Sequence, residues 1–487
     1  MDSFPIIIQG GMGAAVSHWP LARAVSKRGH LGVVSGTALA TVVCRRLQAG
    51  DVGGHIRRAL EQFPWPPVAE RVLSKWYVPG GLAAGVPFKR HSMYSLKPSV
   101  DLLELTVTSA FAEVHLAKEG HDGVVGLNLL EKILLPNLST LYGAILAGVD
   151  YVLMGAGIPL EIPGALDRLS NHETARLRVP VTGAEHGEEH TTEFDPRKLI
   201  PGELGPLKRP KFLAIISSAV LAVALVKKST GRVDGFIVEG PTAGGHNAPP
   251  RAKDALSPTG EPVYGPKDSV DLEKIKAHGL PFWLAGSYGA PERVREALEL
   301  GAQGVQVGTA FAFCEESGFT PEIKEAVLRK VAAGEVSVFT DPVASPTGFP
   351  FKVTSVPGSL SEADEYKGRT RICDLGYLRQ VYKRSDGSIG HRCSAEPQED
   401  YVKKGGSLEN TEGRKCLCNA LSAAAGFGQI QKSGDLELPL VTAGDGLTAL
   451  GRFLKNGSIS YTADDVLDAL EAGIGNAVPA ATGVAGS

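Results

Sequence analysis

The sequence has no apolar run of the roughly 20 residues that a bilayer crossing takes, so no membrane span is expected. Its first residues, Met1-Asp2-Ser3-Phe4-Pro5, lack the basic stretch and long apolar core of an export signal, and Ile6-Ile7-Ile8 stops at once in Gln9-Gly10-Gly11. A cytoplasmic location is therefore expected. An excess of either charge is missing too: the formal net charge is -3, which leaves no basic field to hold nucleic acid or anionic lipid. Cysteine is scarce at six residues in 487. That is too few for a disulfide scaffold and more in keeping with thiols or a metal. No repeat of solenoid period recurs. With 43% hydrophobic and 21% charged residues, the composition also excludes a disordered chain.

Glycine, by contrast, is plentiful at 59 residues, and much of it directly follows an apolar run. Such runs recur at Ile6 to Gly10, Leu31 to Gly36, Val124 to Leu130, Tyr151 to Gly155, Phe212 to Ser217, Gly235 to Gly240, Phe282 to Gly286 and Gly304 to Thr309. They are apolar nearly throughout rather than alternating, the pattern of parallel strands buried on both faces. Helix-like stretches lie between several of them, Leu21 to Arg28 and Pro291 to Leu300 among them. Eight such strands predict an α/β fold, a (β/α)8 TIM barrel with an inserted helical segment and an appended C-terminal region; a doubly wound sheet is the competitor.

The predicted division runs as follows. The barrel spans residues 1–311, with an insertion at about 49–123 that opens on the proline-rich Pro64-Trp65-Pro66-Pro67. Glu185 to Pro210 reads as a long loop before the fifth strand. An accessory region, 312–472, packs on the barrel, with turns and short strands to Gly413 and helix again from Val441 to Ala472. A mobile tail of small residues, 473–487, ends the chain.

In such a barrel the site lies at the C-terminal ends of the strands, and five motifs fall there. Gly10-Gly11-Met12-Gly13 follows the first strand, Asn128 lies in the third, and Thr242-Ala243-Gly244-Gly245-His246 follows the sixth. Gly286-Ser287 follows the seventh and Gly308-Thr309 closes the eighth. Loops after strands seven and eight form the usual phosphate site of these barrels, where glycine lets backbone N–H groups approach and a hydroxyl adds a donor. His246, set on Gly244-Gly245, is the candidate acid/base, because imidazole exchanges protons near neutrality. A histidine merely satisfied in a loop is the alternative, preferred for the other eleven; His121 is read as a turn residue. Arg251 and Tyr288 are candidate contacts for substrate oxygens, or else a surface arginine and a packed tyrosine.

Cysteines form a second constellation. Four thiolates at Cys373, Cys393, Cys416 and Cys418 would bind Zn²⁺ tetrahedrally. The spacing is not a pair of C-x-x-C knuckles, however, and free, partly buried thiols are the preferred reading. Cys44 and Cys314 read as core residues.

Taken in order, Pro5-Ile6-Ile7-Ile8-Gln9-Gly10-Gly11-Met12, Gly126-Leu127-Asn128-Leu129, Ala243-Gly244-Gly245-His246, Ala285-Gly286-Ser287 and Gly304-Val305-Gln306-Val307-Gly308-Thr309-Ala310-Phe311 resemble the nitronate monooxygenase (2-nitropropane dioxygenase) family over about two-thirds of the chain. The resemblance implies an FMN-dependent oxidoreductase, a flavoprotein that oxidises an alkyl nitronate with O2. By it, Gly10, Gly11 and Met12 lie against the flavin ring, Asn128 hydrogen-bonds it, and Gly244 and Gly245 pass beside it. Gly286, Ser287, Gly308 and Thr309 hold its phosphate, and His246 is catalytic. Ser287 stands where the family usually has a second glycine, and Asn247-Ala248-Pro249 follows His246 in place of a glycine; both departures bear on the substrate more than on the cofactor. Two other readings stay open: an NAD(P)H-dependent FMN enoyl-thioester reductase, and a phosphate-ligand barrel without flavin. A small-molecule substrate is the expected partner, and exposed insertion helices leave room for a homodimer.

Overall fold

The computed structural model describes residues 4–202, 205–252, 255–455 and 457–475. Eight strands form one sheet: β1 (Ile7–Gln9), β2 (Gly32–Ser35), β3 (Val125–Leu130), β4 (Tyr151–Gly155), β5 (Lys211–Ile216), β6 (Gly235–Glu239), β7 (Phe282–Ala285) and β8 (Gly304–Val307). All neighbours are parallel, in the order β1-β8-β7-β6-β5-β4-β3-β2. The two ends meet. Ile8 bridges Leu31 in parallel, Gln9 N donates to Leu31 O at 2.9 Å, and Leu31 N donates to Ile7 O at 3.1 Å. The sheet is a closed barrel, as its eight apolar runs predict.

The runs are apolar throughout because both faces of each strand are covered. One set of alternate residues, with Ile8, Val33, Leu153, Leu213, Ile237 and Trp283, fills the barrel. The other set, with Ile7, Val34, Val152, Phe212, Phe236 and Val305, packs under the helices. Close approach there depends on small residues. A Cβ on Gly32 would stand 1.9 Å from Ala22 O, in the helix Trp19–Lys27. Gly32→Ala is therefore expected to destabilise by about 1–3 kcal/mol, as overpacked cores do; denaturant unfolding measures it.

After β8 the chain leaves the barrel and returns. The helix Ala463–Ile474 packs against Pro291–Glu299 and Trp19–Lys27, and so takes the seat of the last outer helix. The tail expected to be mobile lies outside the described residues from 476 onward, while Gly473 and Ile474 belong to this helix. Three hairpin-like pairs were not foreseen in detail: Ala175–Arg178 with Thr191–Phe194, Val338–Asp341 with Phe351–Thr354, and Gln380–Lys383 with Ile389–Arg392. The first lies partly in the predicted loop from Glu185. Its second strand, Thr-Thr-Glu-Phe, alternates exposed and buried, a weak signal in four residues. The stretch from Ala312 also carries a full helix, Pro321–Ala333, whose cap Thr320 accepts from Ile323 N. Val441 to Ala472 is not one helix: an extended piece and a 3-10 segment, Asp445–Phe453, precede Ala463–Ile474.

Candidate active site

A cavity of about 490 Å³ opens at the C-terminal ends of the strands, within the range of roughly 300–1,000 Å³ usual for small-molecule sites. Every cofactor and catalytic candidate from the sequence lines it: Gly10, Gly11, Met12, Asn128, Gly244, Gly245, His246, Gly286, Ser287, Gly308 and Thr309. Tyr288 lines it as well, with the Arg293 guanidinium 5.1 Å from its ring centre. Arg251 does not. It is exposed and stands outside the cavity lining, so the sequence reading of it as a contact for substrate oxygens finds no support. His121 is a turn residue: Gly123 N donates to its Nδ1 at 3.0 Å, leaving Nε2–H for Ala117 O at 2.7 Å.

The C-terminal region builds about a third of the cavity wall. The loop after β6 is stapled into it: Gly245 N donates to Thr442 Oγ1 at 2.9 Å, Lys352 N to Gly245 O at 3.0 Å, and Asn247 N to Pro350 O at 2.9 Å. Gly444 N donates to Thr309 Oγ1 at 2.8 Å, and Asp445 N to Thr242 O at 3.0 Å. These contacts tie the loops after β6 and β8 to one strip of chain, 442–445. Tyr377, Leu378, Leu417, Cys418 and Leu421 add an apolar side that continues into Leu130 and Ile133.

His246 is held on two sides. Its Nε2 lies 2.7 Å from Ser345 Oγ, and its ring meets Phe351 edge-on at 4.9 Å. Ser345 is fully buried and itself fixed: Thr347 N donates to its Oγ at 3.2 Å, and Arg414 Nη1 donates to its carbonyl at 2.6 Å. Burial, with the Lys132 ammonium nearby, lowers the His246 pKa to about 4. The imidazole is thus neutral at physiological pH. Nδ1 has no hydrogen-bond partner among the described residues.

At the other end of the cavity, Gly286 has φ +96° and Ser287 φ +58°. The second value is left-handed, a conformation that non-glycine residues seldom hold and that clusters at ligand sites. A Cβ on Gly286 would stand 2.8 Å from Thr242 Oγ1. Gly308 is different: its φ is -104°, and a Cβ there would meet nothing closer than Met12 Sδ at 3.7 Å. Neither backbone nor packing calls for glycine at that position. Ser287 Oγ, Gln306 Oε1 and Asn128 Oδ1 are buried without partners, while Asn128 Nδ2 donates to Gly11 O at 3.2 Å. Three unmatched polar atoms around one cavity cost about 1–3 kcal/mol each unless something bound there offsets them.

Two lining residues, and a third that holds His246 from outside the lining, are given no role by the motifs. Glu239, the last residue of β6, and Gln306, the last but one of β8, face inward, the first two residues beyond Ile237 and the second paired with Ile8. Each is the polar residue of an apolar strand, Gly-Phe-Ile-Val-Glu and Gly-Val-Gln-Val, and that oddity was the available signal. Ser345 had none, standing 99 positions from the histidine it touches.

The four C-terminal cysteines do gather in one small cluster around Ala395, and all are free. Contact with Cys393 together with burial raises the Cys373 thiol, and burial with neighbouring thiols raises Cys418 and pushes Cys416 up to about 12. Among the described residues no three His, Cys, Asp or Glu side chains stand so as to hold a metal ion. Cys44 and Cys314 are buried in the core. No helix among the described residues is long and apolar enough to cross a membrane.

Comparison with known proteins agrees with the motifs. The family model described as nitronate monooxygenase matches residues 206–343. A probable nitronate monooxygenase of Bacillus subtilis is 32% identical over 123 residues, 25% of this chain and 33% of the relative. A nitronate monooxygenase of Pseudomonas aeruginosa is 31% identical over 152 residues, 30% of this chain and 41% of the relative. The aligned stretch thus spans less than half the length of either. Among solved structures, FabK from Thermotoga maritima is 17% identical with TM-score 0.46, covering 96% of this chain and 92% of that one. Nitroalkane oxidase from Streptomyces ansochromogenes is 14% identical with TM-score 0.46, covering 97% and 96%. The residues matched by the family model, 206–343, run from just before β5 to past β8 and so carry four strands of the (β/α)8 barrel.

Proposed function

We propose that this protein is an FMN-dependent oxidoreductase that takes an alkyl nitronate or its parent nitroalkane as substrate and O2 as electron acceptor. The single observation that carries the cofactor is Gly308, a glycine with neither a conformational nor a packing reason, beside the left-handed Ser287. A ligand that approaches the backbone supplies the reason. Gly286, Ser287, Gly308 and Thr309 would hold the phosphate; Gly10, Gly11, Met12, Gly244 and Gly245 would bound the ring, and Asn128 and Gln306 would meet its polar edge. Bound FMN would supply reversible two-electron chemistry.

The chain's own contribution is a neutral base. With Nε2 spent on Ser345, His246 Nδ1 is the atom left to take the acidic α-proton of a nitroalkane. Ser345 accepts from Nε2–H and can pass its own O–H to Thr347 Oγ1, 2.8 Å away, which selects the tautomer with Nδ1 unprotonated. Ser345→Ala is therefore expected to lower kcat with nitroalkane about tenfold, with little change in KM. Ser345→Thr, which keeps a hydroxyl, should recover most of it. Equal loss in both variants would count against the hydroxyl's role.

The absorbance spectrum of purified protein, then turnover with propionate-3-nitronate, tests the whole reading; a colourless protein that takes up no FMN leaves only the phosphate-ligand barrel. A second reading, the NAD(P)H-dependent enoyl-thioester reductase, draws support from the apolar wall of Leu378, Leu417 and Leu421, more than a small nitronate needs. Rapid bleaching of the flavin by NADPH without oxygen would favour it. No zinc role is proposed for the cysteines.

A further inference from the structure

The cavity holds one ionisable side chain that neither family motif nor base chemistry uses. Glu239 ends β6 and points inward, since it lies two residues beyond the barrel-filling Ile237 and pairs with the inward Ala285. It is half-buried and lines the cavity, and its carboxyl has no hydrogen-bond or ion-pair partner among the described residues. Its partner on β7 is Ala285, which offers neither charge nor donor, and the pairing with β5 ends one residue before it, at Val238 with Ile216. The charged groups that share the cavity are engaged elsewhere. Asp445 pairs with Lys352 at 2.7 Å, Glu292 with Arg452 at 3.2 Å, and Arg293 with Glu296; Lys132, outside the lining, acts on His246.

We propose that Glu239 is the proton donor of this site, the acid that complements the base His246 when electrons leave the enzyme for dioxygen. The inference rests on the flavoenzyme reading above and assigns it a second group. Reduction of O2 to hydrogen peroxide takes two electrons and two protons. Bound FMN would supply the two electrons and one of the two protons; the Glu239 O–H would give the second, leaving its carboxylate to be reprotonated from solvent. In the absence of substrate His246 is a neutral base with no proton to give at neutral pH, and Glu239 is the cavity group that can supply one.

Burial alone raises the Glu239 carboxyl to about 7, while burial lowers the His246 imidazole to about 4. Two groups of one cavity driven apart in this way divide acid and base work between them, as paired carboxylates do in other enzymes. The sign follows. Glu239 keeps its proton below about 7 and loses it as the pH rises through that value, so its donating capacity belongs to the acid side.

Two measurements on the holoenzyme test this. In the first, the wild type and Glu239→Gln are reduced by light in the absence of substrate and mixed with oxygenated buffer. The variant should reoxidise at least about tenfold more slowly, and its rate should lose the decline that the wild type shows on the alkaline side of neutrality. Reoxidation at the wild-type rate with the wild-type pH dependence overturns the assignment. The second is independent of turnover: infrared spectra should show a protonated-carboxyl band in slightly acid buffer that disappears in slightly alkaline buffer. Glu239→Gln should remove the band, and Glu239→Asp should shift it. Its absence from the wild type, or its survival unshifted in both variants, also overturns the proposal. If the wild type binds no FMN, the flavin reading fails at the first step, whereas the infrared band still reports whether Glu239 is held protonated.

Discussion

Replacing His246 by alanine should lower turnover of a neutral nitroalkane by about 10²–10⁴-fold, the range over which a positioned acid/base acts, while FMN stays bound. The two halves of that expectation have separate origins. The imidazole is carried on a loop fastened to 350–352 and 442 by main-chain bonds that do not involve its ring, so the loop should keep its course when the ring is lost. The residues assigned to the cofactor, from Gly10 to Thr309, do not include His246, and the substitution leaves them untouched. What disappears is a base with its acceptor nitrogen directed by Ser345. A preformed nitronate has already lost its α-proton, so His246→Ala should cost it much less than the parent nitroalkane. Comparing kcat/KM for the two substrates, with the flavin spectrum as control, decides the matter; equal losses would reassign His246 from base to binding group. The pH profile adds a check. Because His246 is pushed down to about 4, its neutral form persists until the pH falls through that value, and activity should fall only there. The variant should lack that acid limb.

Gly308→Val should abolish FMN binding, with affinity falling by about 100-fold or more and the apoprotein nearly as stable as the parent. A loss of 100-fold is about 2.7 kcal/mol, modest for a branched side chain driven into a space that a phosphate would fill. The ground for expecting a stable apoprotein is the position itself. Gly308 has φ -104°, open to any residue, and a Cβ there reaches only Met12 Sδ at 3.7 Å. Gly11 provides the contrast, since a Cβ there would stand 2.2 Å from Asn128 Cβ; loss of cofactor in a Gly11 variant would be confounded with loss of fold. Fluorescence titration of apoprotein with FMN, beside thermal unfolding of the same sample, separates the cases. FMN bound at parental affinity by Gly308→Val would place the phosphate elsewhere.

The barrel was legible because its signal is local. Eight apolar runs of strand length, each ended by glycine or a small polar residue, state both the strand and the point at which its loop begins. The motifs were legible for the same reason, since a loop after a parallel strand must lie on one known rim. The predicted positions at Gly10, Asn128, His246, Gly286 and Gly308 needed no long-range information to be placed around one hollow. The segment beyond Ala312 was less readable. Its strands are four residues each and take their register from partners across loops, so periodicity had little to act on. The helix Pro321–Ala333 went unforeseen despite its Thr-Pro start.

By itself, then, the sequence determined which residues form the strands, that they build an α/β barrel, and which side chains stand at its open rim. These follow from the spacing of apolar residues and glycines along a few neighbouring positions. Only the tertiary structure decided what those side chains meet. Ser345 reaches His246, and Glu239 is left without a partner, because segments distant in sequence pack over the rim. Burial, not residue type, lowers the one pKa and raises the other.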